Sequence, residues 1–135
     1  MRTFCPIHYD IILVTKQKGR QIMQNDFEME PGGRLYQYWG NDPVVEVPSN
    51  VRRITCCAFS CIEELKIVKI PEGVKTIESL AFAGCPKLER VEIPASVTTF
   101  HLSVFSGSPK VTIYAPKNSK AEKYAIENHI SFSCL

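Results

Sequence analysis

The chain has 135 residues, of which 44% are hydrophobic, and 16 Lys and Arg residues against 14 Asp and Glu residues leave a net charge of +2. This length and composition predict a single folded domain. The near-neutral balance excludes the clustered basic face that nucleic-acid binding usually requires, so no nucleic-acid partner is expected.

The first 43 residues are predicted to form strands and a hairpin cap. Residues 7–15 have the composition of a strand, but the apolar run at residues 11–14 is too short for a secretory signal. Further on, Phe27-Glu28-Met29-Glu30 alternates, Pro31-Gly32-Gly33 predicts a turn, and residues 35–39 predict the returning strand. We expect this hairpin to cap the first coil of a repeat array.

A 23-residue unit repeats over residues 44–116. Each unit contains a V-x-[VI]-P motif, in which alternate apolar residues predict a short strand with an inward face and proline ends the strand. A second inward pair, such as Val74 and Ile77, follows, and a compact turn, for which a short helical turn is one possible form, then returns the chain to the next strand. The strand motifs begin at Val45, Val68, Val91 and, one residue early, Ile113; the turns carry Ala58-Phe59, Ala81-Phe82 and Val104-Phe105.

The C-terminal residues 117–135 are predicted to form a second cap. Ser119 and Glu122 have the spacing of a capping box, so a helix is expected from Ser119 to about Asn128. Residues 121, 124, 125 and 128 share one face of that helix. Ile130 and Phe132 then alternate as a final strand.

These elements define an α/β repeat fold in one domain, residues 1–135. It comprises an N-terminal strand and hairpin cap (1–43), a solenoid of three to four repeats (44–116) and a C-terminal helical cap (117–135). Stacking is required because a single unit cannot bury its own apolar face, and three units are about the minimum for a stable array.

The repeat resembles the BspA-like leucine-rich repeat, which occurs in many bacterial proteins. The matching residues of one unit are Ile77, Ala81, Phe82, Gly84, Cys85, Leu88, Val91, Ile93, Pro94 and Val97. The ending around Tyr124-Ala125 resembles the closing unit of that family. The resemblance implies a short right-handed leucine-rich-repeat solenoid with a role in recognition or adhesion.

No catalytic, cofactor-binding or metal-binding motif stands out, so we expect no enzyme activity, no cofactor and no metal. The group Cys56-Cys57-x-x-x-Cys61 lacks the paired spacing of a zinc ribbon and has no nearby histidine in sequence. Structural thiols are the favoured interpretation, while a disulfide and a metal site stay open. Cys85 is interpreted as a buried structural thiol.

The outward strand positions are the candidate binding site. Stacking at this period aligns Glu46, Lys69 and Glu92 in an acid–base–acid ladder, with the aromatic ring of Tyr114 next in line, and Arg53 lies on a neighbouring strip. The strip has two interpretations, a solvated face that keeps the coils in register, which is favoured, and a small mixed-charge recognition site. The function predicted for the chain is a non-enzymatic protein-binding scaffold with a protein partner of unknown identity. The alternative is a fragment or relative of an exported adhesin that binds host or matrix proteins.

The sequence also predicts where the protein is located and whether it associates with membranes or with other copies of itself. No segment approaches the ~20 apolar residues of a membrane helix, so no membrane association is expected. A cytoplasmic location follows from the missing signal, with the cell surface as the alternative if an export signal has been trimmed. Exposed sheet edges predict a monomer or a weak homo-oligomer.

Overall fold

The structure, a computed structural model, describes residues 26–135. The strand predicted over residues 7–15 lies outside this range. The described residues form β1 (Phe27–Glu30), β2 (Arg34–Tyr38), β3 (Val44–Glu46), β4 (Arg53–Ile54), β5 (Ile67–Lys69), β6 (Thr76–Ile77), β7 (Arg90–Glu92), β8 (Thr99–Phe100), β9 (Thr112–Ala115), α1 (Lys120–Glu127) and β10 (Ser131–Cys134).

The strands form two sheets, and successive coils each add one strand to both. The sheet that we call the main sheet has the order β3-β5-β7-β9-β10 and is parallel throughout, whereas the second sheet has the order β1-β2-β4-β6-β8. Val45 pairs with Val68, Val68 with Val91, and Val91 with Ile113. The predicted solenoid and its period are therefore confirmed, including the early arrival of the fourth strand.

The turns that return the chain between strands are compact, as predicted, but they are not helical, so the suggested short helical form of the turn is wrong. Each of these turns contains two residues with a positive φ, four positions apart. A left-handed residue disfavours a right-handed helix at that point, so the chain reverses through tight turns. These residues are Cys57 and Cys61, Leu80 and Gly84, and Ser103 and Gly107.

A column of stacked aromatic rings runs through the interior of the solenoid. The ring of Phe82 lies 5.0 Å from that of Phe59 and 5.5 Å from that of Phe105, with interplanar angles of 14° and 12°. Tyr38 extends the column, 5.3 Å from Phe59. Pairs of this kind contribute about 0.5–1.5 kcal/mol beyond the burial of their area, so the column stabilises neighbouring coils against each other.

The predicted hairpin is present at the N-terminal end of the described residues. Strands β1 and β2 pair antiparallel, and β2 then pairs in parallel with β4 of the first coil. The turn between them is made by Gly32 and Gly33, with φ values of 84° and 79°. Glycine adopts this region at no steric cost, which explains the turn that the sequence predicted.

The predicted helix is present as α1, and its N-cap is only partly the predicted capping box. The Ser119 side chain accepts the Glu122 N–H as expected. The Glu122 carboxylate, however, accepts the N–H of Asn118. In a capping box this carboxylate would accept the Ser119 N–H. Here the Ser119 N–H donates to the Pro116 carbonyl, so the carboxylate accepts the N–H of the preceding residue instead. Ala121 and Ala125 are buried, and Tyr124 stacks on Phe100 at 4.8 Å.

Candidate protein-binding face

The predicted strip lies on the outer face of the main sheet. Glu46 pairs in register with Lys69, Lys69 with Glu92, and Glu92 with Tyr114. Neighbouring strands are about 4.8 Å apart, so the four side chains form a continuous row across four strands. We call this row the outer strip.

The electrostatic ladder predicted along the outer strip is present at its first step only. The Lys69 ammonium lies 4.0 Å from the Glu46 carboxylate, and both side chains are well exposed, at 49% and 75%. Ion pairs as exposed as this one contribute about 0–1 kcal/mol to stability. The Glu92 carboxylate instead pairs with Arg90 of its own strand, at 2.8 Å.

Arg90 is the residue of this face that the sequence interpretation missed. Its guanidinium lies over the Tyr114 ring, 3.9 Å from the centroid, while it donates to the Glu92 carboxylate. The available signal was the strand period, because residues 90 and 92 of one strand point to the same face. Arg90 pairs in register with Ile67 and Thr112. Because these two residues are uncharged, the repeat gave no indication of a charged residue at position 90.

The N-terminal half of the same face is partly apolar. Val44 is 50% exposed, and Ile67, its partner on β5, is half-buried. These two residues lie beside Glu46 and Lys69, which are two positions further along the same strands. The face therefore combines an apolar area with a salt-bridged pair at one end and an Arg–Tyr–Glu cluster at the other.

Arg53, predicted to lie on a strip next to these residues, belongs to a different sheet, so its inclusion in the binding face is wrong. It lies on β4 in the second sheet, paired in register with Arg34 and Thr76. The physical reason is that residues 48–52 turn the chain out of the main sheet before Arg53 is reached.

The Arg53 guanidinium donates to the Glu78 carboxylate at 2.8 Å. Burial alone would raise the pKa of Glu78, but the hydrogen bonds from Arg53 and from the Cys56 N–H outweigh it, so this pKa lies below its ordinary value. Arg53 therefore acts in a local ion pair of the second sheet.

The buried cysteine at the family position is a structural thiol, as expected. Cys85 is fully buried, and its Sγ donates to the Phe59 carbonyl at 3.1 Å. One unit later, Ser108 occupies the equivalent position and donates to the Phe82 carbonyl at 2.6 Å. A hydrogen-bond donor at this position therefore ties the second and third return turns to the aromatic residue of the preceding coil, whereas the first turn has Ile62 there.

Within residues 26–135, no group of three or more His, Cys, Asp and Glu side chains is arranged to hold a metal ion. The helix of this part of the chain is far shorter and more polar than a membrane-spanning helix. A shallow cleft of about 520 Å³ runs along α1, lined by residues from Asn118 to Glu127 that include Lys120, Glu122 and Ile126.

A solenoid of stacked parallel strands with an exposed outer face defines a repeat scaffold, and comparison with known proteins assigns its family. Residues 36–134 match the BspA type leucine rich repeat region, in six copies. The match covers most of the chain, which therefore belongs to this family of leucine-rich repeat proteins. Among curated proteins, none matches.

One solved structure similar to this chain is a leucine rich cell surface protein from Faecalibacterium prausnitzii A2-165. The two share 24% sequence identity over 74% of this chain, with a TM-score of 0.42. This chain spans about two fifths of the length of that protein, since 40% of it is covered.

Proposed function

We propose that this chain is a non-enzymatic protein-binding scaffold whose protein partner binds the outer face of the main sheet. The observation that carries the proposal is the Arg90 guanidinium held between the Tyr114 ring at 3.9 Å and the Glu92 carboxylate at 2.8 Å. Arginine and tyrosine are among the residue types that contribute most to binding at protein interfaces. A side chain already held in place also loses less conformational entropy on binding.

The rest of the face supports a protein partner over other classes of ligand. Its charges are mixed in sign, with Glu46 and Lys69 side by side, whereas nucleic acid favours a continuous basic surface. Small molecules bind in concave pockets, but this face is the surface of a sheet. Exposed Val44 adds apolar area next to the charged pair, a combination that is typical of protein interfaces.

We also infer that the solenoid is right-handed and that its two ends are capped. Crossovers between parallel strands of one sheet are right-handed in about 98% of cases. The hairpin supports the N-terminal cap, because Tyr38 continues the aromatic column over Phe59. Helix α1 supports the C-terminal cap, because Tyr124 lies against the Phe100 and Phe105 rings. With both ends covered, a monomer or a weak homo-oligomer is the proposed state.

The proposal is tested by affinity capture from a lysate of producing cells, followed by titration of the purified captured protein. Three variants are compared with the wild type: Arg90→Ala, Lys69→Glu and, as the control, Lys87→Glu. Lys87 is a close match for Lys69, because both are 49% exposed and both pair with a glutamate of the preceding coil. Lys87 lies in a return turn and not on a strand of the main sheet.

We expect Arg90→Ala to weaken binding by about 30-fold, the effect of losing roughly 2 kcal/mol at an interface hot spot. Lys69→Glu should weaken it less, and Lys87→Glu should leave it unchanged. Equal affinities for the wild type and Arg90→Ala would refute the proposed face. A loss on Lys87→Glu as large as that on Lys69→Glu would refute it as well, by placing the interface elsewhere or revealing a general charge effect.

A further inference from the structure

Two consecutive cysteines place their sulfur atoms side by side at the start of the first return turn. The Sγ atoms of Cys56 and Cys57 are 3.5 Å apart. Cys56 is exposed and Cys57 is half-buried, so a small molecule can reach the pair from solvent. Two thiols at this separation can bind the same atom.

The backbone of the repeat builds this arrangement. Neighbouring residues of an extended strand point to opposite faces, but Cys57 has a positive φ of 63°, which breaks the alternation. The equivalent residues of the next two coils, Leu80 and Ser103, have φ values of 60° and 61°. The conformation therefore belongs to the repeat itself and does not depend on the two thiols.

A second contact holds the Cys56 backbone in place. Its N–H donates to the Glu78 carboxylate at 3.1 Å, and the same carboxylate accepts from Arg53 at 2.8 Å. The Cys57 N–H donates to the Ser79 carbonyl of the next coil. Both residues are thus fixed by the neighbouring coil, and little reorganisation is needed before a ligand binds.

We propose that Cys56 and Cys57 form a vicinal dithiol site that binds a trivalent arsenical carrying one organic group. Soft thiol ligands select soft centres, and such an arsenical has two valences left for sulfur. Structural zinc needs four ligands, and residues 26–135 contain no group of three or more suitable side chains. The site therefore matches a centre that takes two sulfur ligands and no more.

The binding reaction is a condensation without any change in oxidation state. An aryl arsine oxide carries one As=O group. The two thiols give up their two protons to that oxygen, which leaves as one water molecule. Two As–S bonds form, to the Sγ atoms of Cys56 and Cys57, and close a ring through the peptide bond between them.

The test uses the full chain, reduced and freed of reductant, with phenylarsine oxide as the probe and intact-protein mass spectrometry as the readout. Cys56→Ser and Cys57→Ser each remove one sulfur. The repeat shows that serine fits both positions, because Ser79 and Ser103 occupy the equivalent places one and two coils later. Cys134→Ser is the matched control, since Cys134 is exposed but distant in sequence from the pair, and Cys5→Ser controls for the cysteine outside the described residues.

We expect the wild type and both controls to retain one phenylarsine oxide per chain after dilution, and an added dithiol to remove it where a monothiol does not. The second As–S bond forms within one molecule, and such linkage raises overall affinity by about 10²–10⁴. Either serine at position 56 or 57 should therefore weaken retention by about 100-fold or more. Retention that survives Cys57→Ser, or that is lost with Cys134→Ser or Cys5→Ser, would overturn the proposal, as would a wild type that retains no arsenical.

Discussion

The interior of the solenoid and the outer face of its main sheet follow opposite patterns along the coils. In the interior, the aromatic column keeps one residue type from coil to coil, at Phe59, Phe82 and Phe105. On the outer face, the residue type changes at nearly every coil. The outer strip has an acid at Glu46, a base at Lys69 and a ring at Tyr114.

The difference shows at which positions the fold requires a particular type of residue and at which positions it accepts many types. Stacked coils bury the same volume at each repeat, so their interior positions accept few residue types. An exposed position on a strand contributes little to stability, and its identity is open to selection by a binding partner. If the proposed partner binds the outer face, this face is where the scaffold can differ in specificity from others of the same family.

The largest expected effect is the loss of stability when a ring of the interior aromatic column is removed. Phe82 lies between two stacked rings and is fully buried, so Phe82→Ala should lower the free energy of unfolding by about 3–5 kcal/mol. Tyr114→Ala, on the outer face, should lower it by less than about 1 kcal/mol. Urea unfolding followed by circular dichroism measures both. Similar losses from the two changes would contradict the proposed division, and Phe82→Leu provides a milder interior variant.

An intermediate effect is expected at the donor position of the return turns. Cys85→Ser should keep stability within about 1 kcal/mol, because Ser108 makes the same hydrogen bond one coil later. Cys85→Val has no donor and would leave the Phe59 carbonyl without this partner, so it should be less stable than the serine variant by about 1–3 kcal/mol. The same unfolding measurement ranks them. A valine variant as stable as the serine variant would show that the thiol acts by packing alone.

The smallest expected effect is the pH dependence of the exposed Arg53–Glu78 pair. Because the folded-state pKa of Glu78 lies below its ordinary value, the pair stabilises the fold above that ordinary pKa. This contribution is lost as pH falls through the lowered pKa. Arg53→Gln should cost about 0–1 kcal/mol at neutral pH, and the difference from the wild type should vanish in acid.

Unfolding curves measured from neutral to acid pH test this prediction. Arg52→Gln serves as the control, because the Arg52 guanidinium donates to the backbone carbonyls of Ser49 and Val51. A difference between the wild type and Arg53→Gln that stays constant at every pH would contradict the assignment to Glu78.

The main sheet was predictable from sequence, whereas in the second sheet only the hairpin strands β1 and β2 were. Three apolar and proline positions per unit, such as Val68, Ile70 and Pro71, mark each strand of the main sheet. The strands that the coils add to the second sheet, β4, β6 and β8, have only two residues each. Two residues are too few to show an alternation, so the sequence predicted an inward pair without a sheet. For the same reason, the sequence did not show that Arg53 lies in a different sheet from the outer strip.

In the candidate site, the outer strip was predictable from sequence, whereas the contact made by Arg90 was not. The alignment of Glu46, Lys69 and Glu92 follows from the 23-residue period, and that of Tyr114 follows from the fourth strand motif, which begins one residue early. The contact of Arg90 with Tyr114 does not, because it runs diagonally between strands and depends on the direction of a long side chain. The proximity of the Cys56 and Cys57 sulfur atoms depends on a left-handed φ at a non-glycine residue, which no residue type in the sequence signals.

The most direct test of the account is to add one coil to the protein. A second copy of residues 68–90, one full 23-residue unit, is inserted between Arg90 and Val91, and its urea unfolding is compared with that of the wild type. If each coil contacts only its neighbours, the longer chain should fold and be more stable, because one more coil and one more interface are added. A scrambled insert of the same composition should instead destabilise the protein. A duplicated unit that lowers stability as much as the scrambled one would contradict the stacked-coil solenoid.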